Sequence, residues 1–169
     1  TPVVERRAVE TLVALSDGLP RSIKQLLNRL PVSLSTLKSI IRKLIAQDMI
    51  HVVDDKYVID PDLQSPTEEI VAVETKLHRW HEALLQARRY SYFADRVYVG
   101  MSREAVKNVD RALLYRYRLG LLSVDEDKAE VIVEAPKIIP KQPAMHRLCA
   151  EHLFSLALEG KSGMSKHLH

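Results

Sequence analysis

The sequence predicts an α/β fold, α+β overall, in two parts: helical segments and a hairpin over residues 1–60, then strands alternating with helices over 61–169. Three observations predict it. Apolar residues recur at helical spacing as far as about Asp48, short apolar runs alternate with polar helical stretches after Ile70, and the proline-containing segment 61–69 has no apolar period at all. At 169 residues the chain is one ordinary domain or two small ones, which excludes a large multi-domain machine. Hydrophobic residues at 46% and charged residues at 28%, with 5 Gly and 8 Pro, describe a chain able to bury a core and exclude a disordered or collagen-like one.

In the first part, Val4, Ala8, Leu12 and Leu15 make a helical stripe that breaks at Ser16, Asp17 and Gly18. Ser22 can cap a second helix, Ile23 to Leu30, with Ile23, Leu26, Leu27 and Leu30 inward and Pro31 as the stop. Ser33 or Ser35 caps a third helix reaching about Asp48, with Leu37, Ile40, Ile41, Leu44 and Ile45 inward and a polar outer face. Met49 to Val53 and Lys56 to Ile59 then read as a hairpin joined by Asp54 and Asp55. This succession over residues 3 to 60 resembles a winged helix-turn-helix domain. The resemblance implies a third helix in the DNA major groove, presenting Ser35, Thr36, Lys38, Ser39, Arg42 and Lys43. Residues 1 to 60 carry 9 Lys/Arg against 7 Asp/Glu, and acidic Asp54 and Asp55 at the hairpin tip repel phosphate, so a protein-binding or dimerisation role stands beside DNA contact.

In the second part, Ile70 to Val73 is a continuous apolar run ending in Glu74, Thr75 and Lys76, the pattern of a buried strand with polar groups at its C-terminal end. A helix from about His78 to Tyr92 follows, with Trp80, Ala83, Leu84 and Ala87 inward. Val97 to Met101 reads as a second strand, and Ser102 as the cap of a helix running to about Arg118 and ended by Gly120. Gly120 to Val124 and Glu130 to Glu134 form an antiparallel pair around Asp125 to Asp127, and a helix from about Pro143 to Glu159 closes the pattern.

Charge is concentrated. The whole chain is only +3, yet residues 76 to 118 carry 10 Lys/Arg against 4 Asp/Glu, a local field that attracts phosphate backbones or else a solvated basic face with no ligand. Glu74 and Lys76, two apart on a strand, project to one face. There a carboxylate can hold a divalent cation while a lysine orients water and offsets charge developing on a phosphate; a plain surface ion pair accounts for the same two residues. Ten residues beyond Lys76 comes Gln86, with Tyr90 one helical turn further on the same face.

Val71-Ala-Val-Glu-Thr-Lys-Leu77, Trp80, Ala83-Leu-Leu-Gln-Ala-Arg-Arg-Tyr90 and Ala94-Asp-Arg-Val-Tyr-Val99 together resemble the PD-(D/E)XK nuclease superfamily, closest to members in which a winged helix precedes the Glu-x-Lys strand. The match spans about residues 70 to 124. It implies Glu74 as a ligand of Mg²⁺ or Mn²⁺, Lys76 as the catalytic lysine, Gln86 and Tyr90 as helix-borne site residues, and a basic stretch, including Arg79, Arg88 and Arg89, that guides DNA. The superfamily also needs an Asp on a neighbouring strand. Asp62, twelve residues before Glu74 and followed by no apolar strand, is the candidate. In the closest members that Asp precedes the winged helix, which leaves three readings: the chain is part of a longer protein, Asp62 substitutes, or the site is incomplete.

Other residues point elsewhere. Cys149 is the single cysteine, so an internal disulfide and a thiolate zinc site are excluded. His78 and His81 lack companions for a zinc set, His146 and His152 do not share a helix face, and His167 and His169 belong to a polar tail. Tyr115 and Tyr117 beside Arg116 and Arg118 could stack bases or grip phosphate, or simply pack a helix. No stretch matches a membrane span and Thr1 to Glu10 is charged, so a cytoplasmic location without a membrane partner is expected. Two functions remain from this reading. One is a metal-dependent phosphodiesterase acting on DNA; the other is a catalytically inactive DNA-binding or regulatory protein, in either case with a homodimer as a plausible assembly.

Overall fold

Hydroxyl caps, apolar periodicity and a few left-handed residues set the boundaries of the elements. The computed structural model describes residues 2–165, in the order α1 (Arg6–Leu15), α2 (Ile23–Arg29), α3 (Leu34–Ala46), β1 (Ile50–Val53), β2 (Lys56–Ile59), β3 (Val71–Lys76), α4 (Trp80–Tyr90), β4 (Arg96–Ser102), α5 (Arg111–Tyr117), β5 (Gly120–Val124), β6 (Ala129–Val133) and α6 (Pro143–Ser165). This is a mixed helix and sheet architecture, α+β, with a two-stranded and a four-stranded sheet. The described residues form two compact units, one made of 2–67 with 147–165, the other of Glu68–His146. The division expected from the sequence falls at 60/61; by contacts, the turn through 61–67 and residues 147–165 group with the first unit. His167 and His169 lie outside the described residues. Among those described, no helix is long and apolar enough to cross a membrane.

In the first unit, Ser22 caps α2 by accepting from the Gln25 N–H at 3.3 Å while Gln25 accepts from the Ser22 N–H at 2.8 Å, a reciprocal capping box. Ser33, one of the two serines expected, caps α3 through the Thr36 N–H at 3.1 Å. Val9, Leu12 and Leu15 of α1 meet Leu26, Leu37, Ile40, Leu44 and Ile50 in a fully buried core. Two expected core residues are displaced. Val4 precedes the first helical turn and is largely exposed, its place taken by Val3 and Val9, and Ile45 lies at the margin of the α3 stripe, partly in solvent. β1 and β2 pair antiparallel, and the two residues between Val53 and Lys56 are the left-handed Asp54 (φ 47°) and Asp55 (φ 58°), as a tight two-residue hairpin turn requires. Arg21 extends this hairpin, exchanging backbone hydrogen bonds with Tyr57 at 2.8 Å in both directions.

In the second unit the sheet runs β3-β4-β5-β6, with β3, β4 and β5 parallel and β6 antiparallel to β5. α4 makes the crossover from β3 to β4 and buries Ala83, Leu84 and Ala87 against both strands, three of the four residues expected inward; Trp80 is half-buried. β3 is not the doubly buried strand its apolar run predicts. It is an edge strand whose Val71 and Val73 are 51% and 42% exposed, because only its alternate residues face α4.

The expected helix from Ser102 to Arg118 is also shorter. Ser102 ends β4 and its Oγ donates to the Leu77 carbonyl at 2.9 Å, a short 3₁₀ turn occupies Val106–Asn108, and Asp110 caps α5. Arg118, left-handed at φ 58°, terminates the helix in place of Gly120. Gly120 serves a different need: a Cβ there would lie 2.4 Å from the Tyr98 ring and 2.8 Å from the Ala135 nitrogen, so only glycine lets that ring cross the strand.

Candidate functional site

The site begins with a carboxylate on an apolar floor. In the parallel register Glu74 stands beside Val99 and Val99 beside Leu121, so all three side chains share the face that α4 covers. Val99 and Leu121 are fully buried and Glu74 is 8% exposed, so its charge needs partners in place of water. It has two. Tyr90, at the end of α4, donates its hydroxyl to Glu74 Oε2 at 2.6 Å, and the Lys76 ammonium lies 2.9 Å from Oε1.

The electrostatics follow. The Tyr90 hydrogen bond, then the Lys76 hydrogen bond and charge, hold the Glu74 carboxyl below its ordinary pKa. The same hydrogen bond to Glu74, with burial, raises the Tyr90 phenol above its own, so Tyr90 stays a donor and Glu74 an anion at neutral pH. Lys76 keeps a quarter of its side chain in solvent, leaving N–H groups to face an incoming anionic oxygen.

The other site residues expected from the sequence divide. Gln86 does not join Glu74: its amide donates to Glu82 Oε1 at 3.5 Å, one turn back along α4. Arg79 pairs with Glu82 at 2.9 Å, whereas Arg88 lies with its guanidinium 4.0 Å from the centre of the Tyr117 ring and Arg89 is exposed beyond it on α4. Asp62 belongs to the first unit, exposed in the turn after β2, where its N–H donates to Asp60 Oδ1 at 2.7 Å. On α3, Thr36, Lys38, Ser39, Arg42 and Lys43 are all exposed. Two of these are tethered, Lys43 to Glu5 at 3.1 Å and the Arg42 Nε to the Lys38 carbonyl at 3.4 Å.

Mg²⁺ and Mn²⁺ demand several oxygens around one point. Glu74 offers one carboxylate with both oxygens already engaged, and among the described residues no three His, Cys, Asp or Glu gather where a metal could be held. The residues present do not fit a divalent ion. No protein-family model matches the chain, and no curated protein matches it.

Sequence reasoning missed the group that fixes the start of β3. Asp95 is buried and its Oδ2 accepts from the Ile70 N–H at 2.8 Å and from His146 Nε2 at 2.9 Å. No local signal could have found it, since Asp95 follows a helix like any solvated charge and His146 lies 51 residues away.

Proposed function

We propose that this chain is a nucleic-acid-binding protein in which α3 of a winged-helix-type first unit contacts duplex DNA, while the PD-(D/E)XK-like second unit serves as a scaffold without a self-sufficient metal centre. One observation carries the reading. The exposed residues of α3 include Thr36, Lys38, Ser39, Arg42 and Lys43, and no acidic residue occurs anywhere in the helix. Such a face supplies phosphate contacts and hydrogen bonds to base edges. The three helices, the hairpin and the Arg21 to Tyr57 bridge support the winged-helix comparison. Asp54 and Asp55 at the hairpin tip leave α3 as the contacting element.

A second reading, a Mg²⁺-dependent phosphodiesterase, draws on the meeting of Glu74, Lys76 and Tyr90 at one end of β3, the residues the nuclease resemblance singles out. It needs carboxylates beyond Glu74. One pair of assays separates the readings. Fluorescence anisotropy with a labelled duplex is expected to show Lys38→Glu with Arg42→Glu weakening binding at least about 10-fold. Unchanged affinity would remove α3 as the DNA reader and favour a protein-binding role for the first unit. Incubation of labelled single- and double-stranded DNA with Mg²⁺ or Mn²⁺ is expected to leave both intact; metal-dependent cutting abolished by Glu74→Ala and by Lys76→Ala would instead establish the phosphodiesterase. A homodimer on duplex DNA would place two copies of α3 on half-sites one helical turn apart, which sedimentation of the complex can test.

A further inference from the structure

We infer that the second unit carries its own binding cleft for single-stranded nucleic acid, separate from α3 and from the Glu74 cluster. The cleft lies between the C-terminal half of α4, the end of α5 and the segment 137–141, and encloses about 940 Å³. Arg88, Arg89, Arg116 and Lys141 line it together with Tyr92 and Tyr117, and no Asp or Glu does.

The charges there are unbalanced. Of the other two cations in the wall, Arg118 donates to the Lys137 carbonyl at 3.1 Å and Lys137 pairs with Glu69 at 3.6 Å. Among the described residues, Arg88, Arg89, Arg116 and Lys141 have no carboxylate within the 4.0 Å of an ion pair. Four like charges converging on one concavity repel each other and concentrate a positive potential there, and a bound polyanion removes that cost. This identifies the ligand as anionic.

The rings narrow it further. The Arg88 guanidinium sits 4.0 Å from the Tyr117 ring centre with Arg116 at 5.8 Å, and the Lys141 ammonium is 5.3 Å from the Tyr92 ring centre. Cations and aromatic rings therefore share the wall in stacked pairs, and the apolar Leu85 and Ile138 line the same cleft. Inorganic phosphate or an acidic peptide has no use for the rings. A single strand alternates phosphates with planar bases that stack on tyrosine or arginine, whereas a duplex keeps its bases inside and offers only a convex backbone. Unpaired cations beside tyrosine rings in one cleft suit a single strand, which brings phosphates and bases to the surface together.

This extends nucleic-acid binding to a second surface and stands or falls independently of α3. The test uses the full chain in EDTA at low salt, with a fluorescein-labelled oligothymidylate of about 12 nucleotides read by anisotropy. Arg88→Glu with Arg116→Glu is expected to weaken binding about 30-fold or more, and Tyr117→Leu about 10-fold. Lys107→Glu with Lys128→Glu, a matched charge reversal at exposed residues outside both surfaces, is expected to leave this affinity within about twofold. The milder Arg88→Gln, checked by circular dichroism for an unchanged fold, should give an intermediate loss. Oligouridylate in place of oligothymidylate distinguishes RNA from DNA as the source of the strand, and tight binding of either supports the cleft. Unchanged affinity in the charge-reversed variant, or displacement of the oligonucleotide by polyglutamate at equal charge, would overturn it. So would a Tyr117→Leu protein that binds as well as the parent.

Discussion

At the scale of single residues, Glu74 couples an edge strand to a helix through one buried charge. Its carboxyl is held below the ordinary value of 4.5, so the stability it contributes is fully present above about pH 4.5 and is lost as pH falls through the lowered value. Tyr90 is the opposite case: its phenol is raised above 10.0, so its contribution is present below about pH 10 and is lost as pH climbs through the raised value. Tyr90→Phe is therefore expected to destabilise the protein at pH 7 by about 1 to 2 kcal/mol. It should also reduce the loss of stability on acidification and remove this residue's part of the alkaline loss, as urea melts at pH 3, 7 and 10.5 would reveal. A melt at pH 7 identical to the parent would mean that Lys76 alone satisfies Glu74. Asp17 does for the buried Arg21 what Tyr90 does for Glu74. It holds the Arg21 guanidinium through a two-pronged contact, and that hydrogen bond, ahead of the one from the Leu19 N–H, sets its carboxyl far below the usual range. Asp17→Ala leaves the buried Arg21 guanidinium without its counter-charge and is expected to lower the midpoint of urea denaturation, while Asp17→Glu should recover part of it.

At the scale of elements, α5 is where sequence and structure part most clearly. Ser102 and Asp110 are both competent caps, and nothing local distinguishes them. The choice is made by β4, which runs on to Ser102 because its Met101 is fully buried beside Ser123 in the parallel register, leaving the helix to start only at Asp110. There the Asp110 carboxylate accepts from the Ala112 N–H at 2.8 Å and the Leu113 N–H at 3.4 Å. For a seven-residue helix such a cap matters, so Asp110→Ala is expected to cost about 1 kcal/mol. Thermal melts should find Ser102→Ala milder; the reverse order would restore Ser102 as the helix start. Much else was legible in the pattern. The stripes of α2 and α3, the turn at Asp54-Asp55 and the β5 to β6 pair all follow from local periodicity and turn chemistry, as does the crossover face of α4. What was not legible depends on distant chain. An apolar run cannot state that it lies at a sheet edge, as β3 does, and helical spacing placed Gln86 beside Tyr90 without revealing that it turns to Glu82. Glu74 and Tyr90, sixteen residues apart, were both picked out from the sequence, and it took the β3 to α4 crossover to bring them within a hydrogen bond.

At the scale of the whole molecule, the modest net charge of +3 conceals a segregated surface. Residues 61 to 75 carry four acids and no Lys or Arg, whereas residues 76 to 118 carry 10 Lys/Arg against 4 Asp/Glu. A field of this kind acts through the number of phosphates it neutralises, because each contact releases condensed counterions and the released ions gain less as salt rises. Engagement of about four phosphates predicts that the logarithm of the binding constant falls with the logarithm of salt concentration at a slope of about −3 to −4. Affinity for an oligonucleotide should then drop about 100-fold between 50 and 200 mM salt. Reversing one contacting cation, Arg116→Glu for a single strand or Lys38→Glu for a duplex, should flatten the slope for that ligand by about one unit and leave the other ligand's slope in place. The crossed design separates a general cloud of positive charge, which would flatten both slopes alike, from two surfaces with different ligands. A slope near zero would instead assign the basic block to solvent, as a charged face that keeps the protein dispersed and holds nothing.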